Sequence, residues 1–156
     1  MTESPFQDIV RHRESLDNNS ENDANTYLHV AFGIDEKYAR HMGVLITSLV
    51  AANPDLSFIF HIFTNALWPE DRERLSALVS PSTSIRVYYM APDLLAKLPV
   101  TAQYPASIYY RLLMPEVLRE CADYVLYLDS DIICLNHLPL FGKAELAGKP
   151  VAAVGD

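Results

Sequence analysis

Between residues 26 and 90 the chain switches hydrophobic period four times, and that alternation limits its fold more than any other feature. "TYLHVAF" (26–32), "SFIFHIF" (57–63) and "SIRVYYM" (84–90) are short, aromatic and β-branched, as strands are. Between the first two, from Lys37 to Ala52, apolar residues recur at helical spacing (Tyr38, Met42, Leu45, Leu49) until Asn53-Pro54 breaks the pattern. Between the second and third, "WPEDRERLSALV" (68–79) carries a proline and two acids in its first turn, which suits a helix start. Repeated strand–helix–strand units predict an α/β fold with a largely parallel sheet and right-handed crossovers. Farther on, a helix is expected from Ala106 to about Leu113, then a short helical piece through Pro115 ending near Cys121. "DYVLYLD" (123–129) reads as a fourth strand and "KPVAAVG" (149–155) as a fifth. The first of these is apolar almost without interruption, as a central strand covered on both faces would be.

Residues 1–25 cluster Asn, Asp, Ser and Glu with few apolar positions, and a mobile polar tail is the expectation there. The folded unit is then 26–156. Half of the residues are hydrophobic, which argues against wholesale disorder. A formal net charge of −8 gives no general attraction to nucleic-acid phosphates, so no nucleic-acid partner is expected. No basic, apolar leader opens the chain and no apolar stretch is long enough to span a bilayer, so a cytoplasmic location is the default expectation. Cys121 and Cys134 lack metal-ligand spacing and read as reduced structural thiols.

The run "VLYLDSDIIC" (125–134) poses a chemical problem, because a segment suited to burial breaks onto two carboxylates. In parallel α/β sheets the ligand crevice lies outside the carboxyl ends of the strands. Asp35 follows the first strand, Asp129 and Asp131 end the fourth, and Asp156 follows the fifth, so four carboxylates are expected at one edge. Any single one of them is most simply a turn residue. Together they suggest a site. In extended backbone the i, i+2 spacing points Asp129 and Asp131 the same way. Two such carboxylates disfavour joint ionisation unless a cation compensates, and hard oxygen ligands suit Mg²⁺ or Mn²⁺.

"VAFGIDEKY" (30–38), "SIYYRLLMPEVL" (107–118), "ADYVLYLDSDIIC" (122–134) and "VAAVGD" (151–156), in that order, resemble the N-terminal part of glycosyltransferase family 8, above all its bacterial lipopolysaccharide core glucosyl- and galactosyltransferases. The resemblance covers 27–156. It implies a GT-A (Rossmann-like) nucleotide-sugar-binding fold and retaining transfer of a hexose from UDP-glucose or UDP-galactose to lipopolysaccharide core or another glycan acceptor. Matched by motif, Asp129 and Asp131 would bind Mn²⁺ or Mg²⁺ on the donor diphosphate, with Asp129 also near the ribose or sugar. Asp35 and Tyr38 fall where the family contacts uracil and ribose. Arg111 matches a basic donor-binding position, and Asp156 a carboxylate beside the transferred sugar. Tyr109 is a candidate donor-site contact, while Tyr110 reads as packing. Tyr38 lies on its helix's apolar stripe, which also suits a plain core residue, and a salt bridge to Glu116 is the ordinary alternative for Arg111. Lys37 departs from the polar amide that the family often has there.

The family's catalytic domain continues past Asp156 with a metal-binding histidine, acceptor-binding residues and a basic membrane-facing region, so the resemblance implies a GT-A domain whose C-terminal part is missing. Peripheral contact with the inner membrane would depend on that missing part, and self-association is expected if apolar surface is left uncovered. Two further readings stand beside this one: a nucleotide-binding lobe that transfers no sugar, and a haloacid-dehalogenase-like phosphatase in which Asp129 is the nucleophile. Glycogenin-like self-glucosylation is a variant within the family. The five histidines are expected to be structural or solvated, and His137 is not read as a ligand.

Overall fold

The computed structural model describes residues 9–17, 27–91, 99–101, 105–138 and 149–153. Among them, five strands form one sheet: β1 (Val10–Ser15), β2 (Tyr27–Ile34), β3 (Ser57–Thr64), β4 (Thr83–Met90) and β5 (Leu126–Tyr127), in the order β1-β4-β3-β2-β5. β2, β3, β4 and β5 are mutually parallel where they pair, and β1 runs antiparallel on the edge of β4. The chain builds outward from β2 to β3 and β4, then returns to the other side of β2 for β5. Strand order therefore reverses beside β2.

Each strand alternates between the two faces, as its period of two requires. Val30, Phe32 and Ile34 of β2, Phe58, Phe60 and Ile62 of β3, and Ile85 and Val87 of β4 join one core. Helix α1 (Ala39–Ala52) covers that face through Met42, Leu45, Ile46 and Leu49, all buried. Helix α2 (Pro69–Ser76) adds Leu75, with Pro69 at its start and Glu70 and Asp71 in its first turn as anticipated. Its buried Asp71 is held by Arg40 at 3.3 Å and Arg74 at 2.8 Å, which ties α2 to α1. Full burial of each large apolar side chain contributes about 1.5–3 kcal/mol.

The opposite face gathers Ile9, Ala31, Phe63, Tyr88, Met90, Tyr110, Met114 and Leu118. A 3₁₀ segment (Ala106–Leu112) and the short helix α3 (Met114–Leu118) lie over it. The expected helix from 106 is thus wound in the tighter 3₁₀ form, bounded by Pro105 before it and by Pro115 in the first turn of α3. Gly33 explains how it sits so close: a Cβ there would lie 2.9 Å from the Ser107 carbonyl oxygen. The first strand, expected over 26–32, runs instead from Tyr27 through Gly33 to Ile34.

Three further expectations are corrected. Residues 10–15, assigned to the polar tail, form β1, whose Glu14 side chain receives hydrogen bonds from Arg72 and from Tyr89 at 3.1 Å. An edge strand needs few apolar residues, since one side and most of its surface face water, and charge there blunts edge pairing. The fourth strand is shorter than expected, because only Val30 and Ala31 pair with it. Residues 149–153 carry no strand, and Val151 is 74% exposed, so no apolar face docks it on the sheet.

A polar chain crosses the second face: His29 Nδ1 lies 2.9 Å from His61 Nε2, and His61 Nδ1 lies 3.0 Å from the Tyr88 hydroxyl. Burial, followed by the charges of His29 and Arg86, holds His61 well below the usual histidine value. An unfolded chain takes up a proton near pH 6.5 that folded His61 refuses, so this contribution is complete above about pH 6.5 and is lost as pH falls below it. Between pH 7 and 5.5 the unfolding midpoint in urea should fall, and His61→Gln should flatten that slope while lowering stability throughout. A slope equal to that of the unsubstituted chain would remove His61 from the account. Gly33→Ala should cost about 1–3 kcal/mol, because a backbone carbonyl must give way. A urea midpoint equal to that of the unsubstituted chain would contradict the close approach of residues 106–112 to β2.

Candidate nucleotide-sugar site

Asp35 follows directly on β2, and Asp129 lies two residues beyond β5, its parallel neighbour. Both therefore sit at the carboxyl edge where the strand order reverses, which is the place for a ligand crevice in an open α/β sheet. Asp35 has extended backbone, and its Oδ1 accepts a 3.0 Å hydrogen bond from Lys37 N–H, capping the 3₁₀ turn Glu36–Tyr38. Next to it, Glu36 accepts a 2.9 Å bond from Asn65. Its own backbone amide and then Asn65 hold its carboxyl below the usual range.

Arg111 enters from the other side, on the 3₁₀ segment that Gly33 admits. Its Nε donates to Ile108 O at 3.0 Å, its guanidinium lies 4.7 Å from the centre of the Tyr127 ring, and its Nη2 stands 3.6 Å from Asp129 Oδ1. The last contact is an ion pair rather than a hydrogen bond. Glu116, the alternative partner weighed for Arg111, has Arg119 within 3.5 Å. The Tyr127 hydroxyl donates to the same Asp129 Oδ1 at 3.0 Å. Burial, then that bond and the Asp129 charge, push the Tyr127 phenol up to about 12, so at neutral pH it stays a donor.

Beyond Leu128, whose N–H reaches Ala31 O at 3.2 Å, the backbone leaves the sheet and turns at Ser130 and Asp131. The extended geometry expected for Asp129-Ser130-Asp131 is not kept, since the chain turns away at Ser130 and Asp131 although β2 runs on to Ile34. Both aspartates are nevertheless exposed at this edge. The segment that follows is moored to α1: Cys134 N–H donates to Ser48 Oγ at 3.0 Å, and Leu138 N–H to Asn53 Oδ1 at 2.6 Å. Asn53 is fully buried, and its amide also donates to Leu49 O at 2.8 Å. Cys121 and Cys134 are free thiols.

Tyr38 is 42% exposed, not core, and its ring rests against His41 at 5.4 Å. Tyr110 is buried as expected, and burial, then Asp35 and Glu36, raise its phenol. Tyr109 spends its hydroxyl on Pro99 O at 2.8 Å, which leaves its ring for other contacts. Asp156 lies outside the described residues. Among the described residues no group of three or more His, Cys, Asp or Glu is arranged to hold a metal ion, and no helix is long and apolar enough to cross a membrane. Tyr127, Asn53 and Ser48 were not singled out from sequence. For Tyr127 a signal existed, since it precedes Asp129 by two residues on the same strand face.

The chain is 33% identical over 145 residues to a lipopolysaccharide 1,3-galactosyltransferase of Salmonella typhimurium, covering 91% of this chain and 43% of the relative. It is 37% identical over 117 residues to a lipopolysaccharide 1,2-glucosyltransferase of Escherichia coli, covering 74% and 34%. It therefore spans less than half the length of these relatives. Among solved structures it superposes on the bifunctional glycosyltransferase WbbM in its apo form with a TM-score of 0.59 and 26% identity, over 78% of this chain and 22% of that one. Galactosyltransferase LgtC in complex with donor and acceptor sugar analogs gives a TM-score of 0.58 and 25% identity, over 70% and 40%. The mostly parallel α/β sheet is that of the GT-A glycosyltransferases. This leaves no place for the phosphatase reading. The model of "Glycosyl transferase family 8" matches residues 29–156, and with the ordered edge of carboxylates on a reversing sheet it settles the kinship: the chain belongs to glycosyltransferase family 8.

Proposed function

We propose that this chain forms the donor-binding part of a retaining hexosyltransferase that takes UDP-glucose or UDP-galactose with Mn²⁺ or Mg²⁺ and serves lipopolysaccharide core assembly on the cytoplasmic face of the membrane. The observation that carries the reading is the position of Asp35 and Asp129 beyond the ends of neighbouring parallel strands where strand order reverses, with Arg111 3.6 Å from Asp129. In the transfer, the bond between the sugar's anomeric carbon and the β-phosphate oxygen breaks, and its electron pair leaves with UDP. An acceptor hydroxyl supplies the new bond to that carbon and releases a proton.

The donor set fits a hard ion. Two exposed carboxylates give oxygen ligands yet too few to fill six positions, which leaves room for water and phosphate. The guanidinium already against Asp129 marks a place that accepts positive charge. A divalent ion held there would act as a Lewis acid on the departing diphosphate, an effect of several kcal/mol. Asp129 and Asp131 would hold it, and Arg111 would offer a two-pronged donor to the phosphate oxygens. Asp35 and the exposed ring of Tyr38 are assigned to the nucleoside, with Tyr109 beside the donor. Asp156 is assigned, by its place in the family motif, to the side of the transferred sugar.

Calorimetric titration with UDP tests this directly. UDP should bind a chain shown to be folded by circular dichroism when Mn²⁺ is present, and Asp131→Asn should weaken that binding at least a hundredfold. Absence of metal-dependent binding in a folded chain would sink the donor-site assignment. Binding without hexose transfer to any acceptor would favour a nucleotide-binding lobe instead. In the same titration Arg111→Lys should lose about five- to tenfold in affinity, because a point charge replaces a planar fork. Equal affinity would mean that Arg111 does not touch the diphosphate.

A further inference from the structure

Asp129 does not present both of its oxygens equally. The Tyr127 hydroxyl, at 3.0 Å, and the Arg111 guanidinium, at 3.6 Å, converge on Oδ1 of Asp129. Arg111 is itself carried over the Tyr127 ring, 4.7 Å from its centre. Tyr127 sits on β5, whose register with Ala31 fixes its place, and it is half-buried against the core on the second face of the sheet. Asp129 by contrast is exposed, with 61% of its side chain in solvent. The rigid partner is the tyrosine, and the carboxylate takes its orientation from it.

We propose that Tyr127 is a positioning residue that engages one oxygen of Asp129, leaves Oδ2 as a one-oxygen ligand, and so favours a small divalent ion over Ca²⁺ in the donor site. A carboxylate held by a hydrogen bond through one oxygen meets a metal through the other. Mg²⁺-sized ions require short, near-octahedral contacts and accept single oxygens, whereas Ca²⁺ readily takes a carboxylate through both. Partners that orient a ligating carboxylate generally matter about ten- to a hundredfold in metal affinity. The ring has a second effect. Stacking keeps Arg111 beside the diphosphate position without giving it a hydrogen bond to Asp129 that an incoming cation would have to break.

This inference rests on the donor-site reading, and the experiment separates the two. UDP affinity is measured by calorimetry with saturating Mn²⁺ and then with Ca²⁺, for the unsubstituted chain, Tyr127→Phe and Tyr127→Leu, with circular dichroism melts alongside. Tyr127→Phe keeps the ring and removes the hydroxyl. It should weaken Mn²⁺-supported binding about tenfold while lowering Ca²⁺-supported binding less, which narrows the Mn²⁺ to Ca²⁺ preference at least threefold. Tyr127→Leu should lose more than Tyr127→Phe, since the support under Arg111 goes too. A purely structural tyrosine would shift the melts and leave the metal preference alone. Tyr127→Phe within twofold of the unsubstituted chain, or a loss with unchanged preference, overturns the role of Tyr127 and leaves the donor site standing. An unsubstituted chain that binds no UDP with Mn²⁺ overturns both.

Discussion

The site depends on a short parallel pairing: only Val30 and Ala31 of β2 face Leu126 and Tyr127 of β5. That contact brings the chain back across β2 and reverses the strand order, and the reversal sets the end of β5 beside Ala31, on the strand that leads to Asp35. Two residues of ladder are little, since each hydrogen bond contributes about 0.5–1.5 kcal/mol net. The flanks supply the rest. Upstream, Arg111 stacks on Tyr127. Downstream, Ser48 and Asn53 of the α1 region hold the backbone of Cys134 and Leu138. The aspartates thus stand on a short exposed span fixed at both ends, which gives the loop definite geometry without burying its charges.

The two faces of the sheet divide the labour. Under α1 and α2 the strands carry Phe32, Phe58, Phe60 and Ile62, a mainly apolar core whose buried polar groups Asp71 and Asn53 sit at its helical border. On the other face β2 offers His29, Ala31 and Gly33, three residues that permit either a hydrogen bond or a close approach. Ala31 and Gly33 let the 3₁₀ segment lie close to the backbone. His29 continues into the His61 and Tyr88 chain, where low dielectric makes each satisfied contact count and each lost one costly. Arg111 reaches the site because a small residue stands under the segment that carries it.

Much of this was legible in the sequence, for identifiable reasons. The strand–helix alternation from Tyr27 to Met90 was written in hydrophobic period, and α2 began at Pro69 as expected, while α1 begins at Ala39, two residues later than the pattern suggested, after a 3₁₀ turn. The position of Asp35 and Asp129 beyond the ends of neighbouring parallel strands followed from topology. What escaped was decided by partners far away in sequence. β1 looked like tail because an edge strand can be polar, and only Met90 and its neighbours on β4 show that it pairs. For Tyr38 the spacing left nucleoside contact and plain core both open, and only the 3₁₀ turn before α1 shows that it is exposed. Asn53 read as the end of a helix, and its grip on Leu138 depends on a contact 85 residues away.

The opening puzzle of the apolar run that ends in two acids also has an energetic side. Arg111 and Asp129 form an exposed pair, with 41% and 61% of their side chains in solvent, and such pairs contribute about 0–1 kcal/mol. A stability argument therefore gives no reason to keep it. Its weakness suits a site that must exchange partners: a buried pair of the same residues would leave an uncompensated charge when separated, at about 3–5 kcal/mol. Under the proposed function, Asp129 would pass from a guanidinium to a metal ion, and Arg111 from a carboxylate to a diphosphate, with the sum of charges nearly balanced before and after. The buried strand supplies the fixed point, and the solvent keeps the exchange inexpensive.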